Sequence, residues 1–170
     1  MSLKILGAIL VVCGCGGCGF AMAAAQRREE DCLRQLQRGL EYMSCELEFW
    51  QTPLPQLCRN TAQAIGGPLK LVFERLAQEL DAQVAPDAGC CMKAAAAAFP
   101  GLAPRVRAAL EQLGATLGQF DLSGQQKGMA TVSQLCQEGI EELSRDRSSR
   151  LRSYQTLGLC AGAALAILFL

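Results

Sequence analysis

Between residues 32 and 50, apolar side chains recur at Leu33, Leu36, Leu40, Met43, Leu47 and Trp50. The spacings alternate between three and four, which puts these positions on one face of a helix, as in an a/d seam. Such a stripe either packs in the core of its own domain or pairs with a helix of another chain. Thr52-Pro53 restarts the chain, the hydroxyl suited to cap a helix and the proline to sit in its first turn. Leu54, Leu57, Cys58, Ala62 and Ile65 line one face of that short helix. Gly66-Gly67 is expected to stop it in a left-handed conformation. Pro68 then opens a helix whose stripe is Leu69, Val72, Phe73, Leu76 and Leu80. Past Ala85-Pro86 comes an alanine-rich helix over about 87–98. A fifth helix opens near Pro104 and buries Val106, Leu110, Leu113 and Leu117. A sixth runs from near Ser123 through Met129, Val132, Cys136, Ile140 and Leu143. No period-2 pattern competes, and the connections are a few residues long, so successive helices should pack as antiparallel hairpins. The expected fold is all-α, a bundle of about six helices.

Both ends of the chain read differently. Residues 5–25 carry no charge, and neither do residues 153–170. As helices they would span roughly 31 and 27 Å, against a hydrocarbon core of about 30 Å. These segments are expected to be transmembrane helices (1–25 and 153–170) around a helical domain over 26–152. The first has a second reading: Lys4, an apolar run and Ala23-Ala24-Ala25 also fit a cleavable signal peptide. Arg27 and Arg28 follow the first segment, and Arg145, Arg147, Arg150 and Arg152 precede the second. By the positive-inside rule these arginines favour an uncleaved anchor with the domain in the cytoplasm.

Composition removes several chemistries. Sixteen Lys+Arg balance sixteen Asp+Glu, so no global basic field is present to attract nucleic acid. With no histidine, Ser-His-Asp and Cys-His catalysis and imidazole metal sites are excluded. No phosphate-binding G-x-x-x-x-G-K-[ST] run occurs. No catalytic residue, cofactor or metal site is expected. Of ten cysteines, Cys13, Cys15, Cys18 and Cys160 lie in the charge-free segments. Cys32, Cys45, Cys58, Cys90, Cys91 and Cys136 are scattered without zinc spacing, and in a reducing compartment they read as small buried hydrophobes. In an exported chain the same six could form three bridges.

Four motifs together resemble one known family, stage III sporulation protein AB. Glu46-Leu47-Glu48-Phe49-Trp50-Gln51-Thr52-Pro53-Leu54 is close to its E-I-x-Y-x-x-T-P-L run. The stretch from Leu113 to Lys127 is similar to its G-x-x-L-G-x-S-D-x-x-x-Q-x-K, with Phe120 in place of the serine. Gly128 stands where a histidine commonly follows. The start (Leu3 to Ala8) and the end (Tyr154 to Gly158) are similar too. The resemblance implies an integral membrane component of a secretion-like complex that links mother cell and forespore. Its helical domain would face the mother-cell cytoplasm, resemble the platform-protein domains of type II secretion and type IV pilus systems, and dock the complex's ATPase, stage III sporulation protein AA. Other membrane subunits, the membrane itself and further copies of the chain are the remaining expected partners.

Candidate residues follow from these motifs. Thr52 and Pro53 read as architectural. Asp121 either caps the sixth helix or joins Gln125 and Lys127 in a polar docking patch beside Gly114 and Gly118, glycines that also suit a close approach of helices five and six. Gly158, Gly162 and Ala166 form a small-residue face suited to membrane-helix packing, within the chain or on a partner. Two other functional classes stand beside the platform reading. One is an exported, disulfide-bridged envelope protein tethered by its C-terminus; the other is a thiol-redox protein using Cys90-Cys91.

Overall fold

The structure is a computed structural model of the 170-residue chain. It describes the backbone of residues 2–50, 52–82, 87–118 and 122–169, and the side chains of 24–50, 52–82, 87–118 and 123–146. Six helices follow in order: α1 (Ser2–Phe49), α2 (Leu54–Ala64), α3 (Gly67–Asp81), α4 (Ala88–Ala97), α5 (Pro104–Thr116) and α6 (Leu122–Phe169). Among the described residues all regular structure is helical.

The chain divides into two compact units, Ala24–Ile140 and a second formed by Met1–Ala23 with Glu141–Leu170. The second unit holds the beginning of α1 and the end of α6. Residues 1–23 and 153–170 of the expected membrane segments fall there, with their side chains outside the described residues, as do Cys13, Cys15, Cys18 and Cys160; Ala24 and Ala25 belong to the first unit. Among the described residues no helix is long and apolar enough to cross a membrane.

The Ala24–Ile140 unit is a helical bundle in which α1 and α6 are antiparallel. On α1, Gln37 donates to the Ser133 carbonyl of α6 at 3.3 Å, and Ser44 lies 3.8 Å from the Met129 sulfur. The numbering rises along one helix and falls along the other, so the two run in opposite directions. Helices α2 and α3, α3 and α4, and α4 and α5 pack in sequence order. The expected stripes form the core: Leu33, Leu36, Leu40, Met43 and Leu47 are buried, as are Val106, Leu110, Leu113 and Leu117. The α1 stripe thus packs within its own domain.

Helix boundaries follow the expected chemistry in part. Prolines occupy the first turns of α2, α3 and α5, where a missing N–H costs nothing. Gly67 takes the left-handed conformation, with φ +62°, that glycine adopts without steric penalty, but it does so as the first residue of α3, and α2 is already ended by Ile65 in extended backbone. Asp87 caps α4 by accepting the Cys90 amide at 2.6 Å. Thr52 does not cap α2, however; Pro53 stands at the N-cap and no side chain bonds there. Trp50 leaves the α1 seam as well. The helix ends at Phe49, and beyond it the next seam position, Trp50, projects into solvent at 78% exposure. Leu54 and Leu80 are only half-buried.

Candidate functional site at the α1–α2 corner

Where α1 ends, a carboxylate holds the chain in its turn. The Tyr42 hydroxyl donates to Glu46 Oε1 and the Thr52 hydroxyl to Glu46 Oε2, each at 2.6 Å. Tyr42 and Glu46 are one helical turn apart, which brings the phenol over the carboxylate. An O–H bond to an ionised oxygen is stronger than one between neutral groups, which explains why Thr52 turns back to Glu46 rather than forward to α2. The same bonds, with a contribution from Asn60, lower the Glu46 pKa below its ordinary value. Tyr42 shifts the opposite way, chiefly because ionising it would lose the hydrogen bond it donates to Glu46, and further because it would set a second negative charge against that carboxylate. A depressed carboxylate contributes stability that is present above its ordinary titration range and is lost as pH falls through the folded pKa. Thr52→Val and Tyr42→Phe are each expected to raise the Glu46 midpoint, as read by NMR titration of its side-chain carboxyl.

Beside this corner, Phe49 and Trp50 are 73% and 78% exposed. The turn after α5 reaches the same end of the bundle. Gly118, with φ +76°, sits where an added Cβ would lie 3.6 Å from Leu54 Cδ2. The Thr52-Pro53-Leu54 run and the Gly114–Gly118 run, far apart in sequence, are therefore neighbours in space. Gly114 itself is buried against α4, where an added Cβ would meet Met92 Cβ at 2.6 Å. The expected pairing of α5 with α6 at this glycine is thus corrected to α5 with α4. Gln125 is half-buried and Lys127 exposed, its carbonyl accepting the Thr131 hydroxyl at 3.0 Å. Asp121 lies outside the described residues. Gly158, Gly162 and Ala166 are on α6, in the part whose side chains are not described.

At the other end of the unit, a cleft of about 640 Å³ opens between α1 and the starts of α3 and α5. Arg28, Glu29, Asp31 and Gln35 line it, and Gln35 Oε1 is buried without a partner. Its wall carries both signs of charge and selects no ligand class. Among the described residues no cluster of His, Cys, Asp and Glu is arranged to hold a metal ion.

Compared with known proteins, residues 4–170 match the family model of stage III sporulation protein AB. The chain belongs to that family. A family member from Bacillus subtilis (strain 168), stage III sporulation protein AB, is 24% identical over 170 residues, covering 99% of each chain. A solved structure of stage III sporulation protein AB superposes with a TM-score of 0.61 at 21% identity, covering 69% of this chain and 94% of that one. The stage III sporulation protein AB fold is therefore shared over the bundle.

Within this family member, sequence reasoning missed two site features. Glu46 was visible only as a motif letter, and its role needs the return of Thr52 six residues on. Gly128 was noted only as a departure, yet an added Cβ there would lie 2.5 Å from Thr116 Cγ2. It is Gly128 that lets α6 approach the end of α5.

The cysteines can be ranked. All six described ones are free. Burial pushes the Cys58 thiol up to about 12 and Cys136 up to about 11. Cys91 is buried; its neighbour Cys90 is exposed, with its pKa raised by the hydrogen bond and charge of Asp87. The thiolate is the reactive form. Peptide mapping after brief maleimide treatment at neutral pH is expected to find Cys45, also exposed, modified first and Cys58, Cys91 and Cys136 protected until denaturation. The vicinal pair gains no support as a reactive centre: Cys91 is buried, and the hydrogen bond and charge of Asp87 raise the Cys90 pKa.

Proposed function

We propose that this chain is a non-catalytic, membrane-anchored platform component of the sporulation complex that joins mother cell and forespore. Residues 1–25 and 153–170 are its transmembrane anchors, and the domain between them lies in the mother-cell cytoplasm. There it docks the complex's ATPase, stage III sporulation protein AA, and neighbouring membrane subunits. The family match over residues 4–170 supports the setting. The observation that carries the docking role is the meeting of the two motif runs at one end of the bundle, through Gly118 and Leu54, beside two exposed aromatic side chains. Helices α1 and α6 each continue unbroken from the bundle into a charge-free segment, as a domain held at both ends would require. The exported, bridged alternative gains no support, since the described cysteines are free.

The test is co-purification of the full-length chain in detergent with the ATPase, together with membrane-impermeant maleimide labelling of Cys45 in intact and permeabilised cells. Retention of the ATPase, and labelling only after permeabilisation, are expected. Labelling in intact cells places the domain outside and sinks the reading.

A further inference from the structure

Solitary exposed hydrophobic residues are ordinary on protein surfaces, but Phe49 and Trp50 are adjacent, about three-quarters exposed, and held on a fixed corner. The Trp50 amide donates to the Glu46 carbonyl at 2.9 Å, while the Glu46 side chain is gripped by Tyr42 and Thr52. Aromatic groups presented on an ordered backbone bind with little further loss of conformational freedom. Along this stretch of the chain the charge is of one sign. Glu41, Cys45, Glu48 and Phe49 share the outward face of α1 and are exposed. No lysine or arginine occurs between Arg38 and Arg59, and Arg59 is paired with Asp81. The last turn of α1 carries no basic residue to offset the negative end of its dipole.

We propose that the Phe49–Trp50 corner is the seat of a basic segment of a partner subunit, one that lays arginine or lysine side chains across the two rings and against Glu41 and Glu48. A cation over an aromatic face is attracted by the ring's quadrupole, and the aliphatic stem behind the charge covers the ring's apolar surface. An acidic partner would be repelled here. A neutral apolar one would strip water from two carboxylates with nothing to replace it. The proposal rests on the docking role above and specifies its contact chemistry.

Trp50 is the chain's only tryptophan, so incorporating 5-fluorotryptophan gives the full-length protein a single ¹⁹F resonance. The protein in detergent micelles is titrated with purified ATPase subunit. A saturable shift of that resonance is expected, with affinity falling at least tenfold between low and high salt. Trp50→Ala, which carries no fluorotryptophan and is therefore followed by co-purification over a range of ATPase concentrations, should weaken binding by roughly thirtyfold, the scale of an aromatic hot spot. Glu48→Lys, an exposed change outside the Glu46 clamp, should weaken it by at least fivefold, a bound set by one close charge pair. If the ATPase binds while the resonance stays put and Trp50→Ala binds equally well, the corner is not the seat and the docking role stands. A shift that follows the chain's own concentration without ATPase assigns the corner to a second copy and overturns the proposal. Failure of the ATPase to bind at all removes the docking role and this inference with it.

Discussion

Replacing Phe73 with alanine is expected to destabilise the helical domain by about 3–5 kcal/mol, near the upper end of what single truncations cost. Phe73 has no exposed surface and, among the described residues, is the largest of the fully buried side chains. It lies on α3, the helix that packs against both α2 and α4. Truncation forfeits the transfer free energy of a buried ring and leaves a cavity whose cost depends on how far the surroundings collapse. Collapse is restricted here. The buried positions of α4 include Ala88, Ala95 and Ala96, and alanine has no rotamer with which to fill a hole. Leu71, on the same helix but half exposed, is the control, and Leu71→Ala is expected to change stability by no more than about 0.5 kcal/mol. Denaturant unfolding of the full-length chain, followed by circular dichroism, separates the two. Equal midpoints for both variants would mean that α3 does not occupy the centre of the core.

Most of this core could be read directly from the chain because each helix carries its own apolar period. Leu69, Val72, Phe73 and Leu76 needed no knowledge of what covers them, and the prolines that open α2, α3 and α5 act through local backbone chemistry. The corner was different. Trp50 continued the α1 seam by spacing alone, but spacing does not say where a helix stops. That was decided by Glu46 holding Thr52, a contact between side chains across a turn. The same blindness affected the glycines. A glycine's position in sequence shows that a close approach is affordable, but not which helix makes it. Gly114 was therefore assigned to the wrong neighbour, and Gly128 read only as a missing side chain.

Those two glycines give the second large effect. Glycine-to-alanine exchange inside an exposed helix ordinarily stabilises by roughly 0.5–1 kcal/mol, because the freer backbone loses more entropy on folding. At Gly114 and Gly128 the sign should reverse, with a net loss of about 1–3 kcal/mol in each case. The new methyl at Gly114 would stand 2.6 Å from Met92 Cβ, and at Gly128 it would stand 2.6 Å from Thr116 Cβ. A Cβ is fixed to its backbone, so no rotamer change relieves either contact and the helices themselves must separate. Thr116 has little freedom in any case, since it is buried and its hydroxyl donates to the Leu113 carbonyl at 2.8 Å. Gly101, with nothing within 4 Å of the added carbon, should accept alanine without loss. Thr116→Ser removes the methyl that lies 2.5 Å from the new carbon but keeps Cβ, so combined with Gly128→Ala it should recover only part of the stability. Full recovery would locate the clash at the methyl and leave α5 and α6 free to keep their spacing. No loss in Gly128→Ala alone would mean that α6 does not approach α5 there. Because Gly114 and Gly118 belong to the run that meets Leu54, parting α4 from α5 at Gly114 should also disturb the corner. Its fluorotryptophan resonance should then move in Gly114→Ala without any partner present. The Gly101→Ala resonance should stay where it is. That difference would tie the buried glycine to the exposed surface through the packing of α4 and α5, and would explain how a residue with no access to a partner can influence docking.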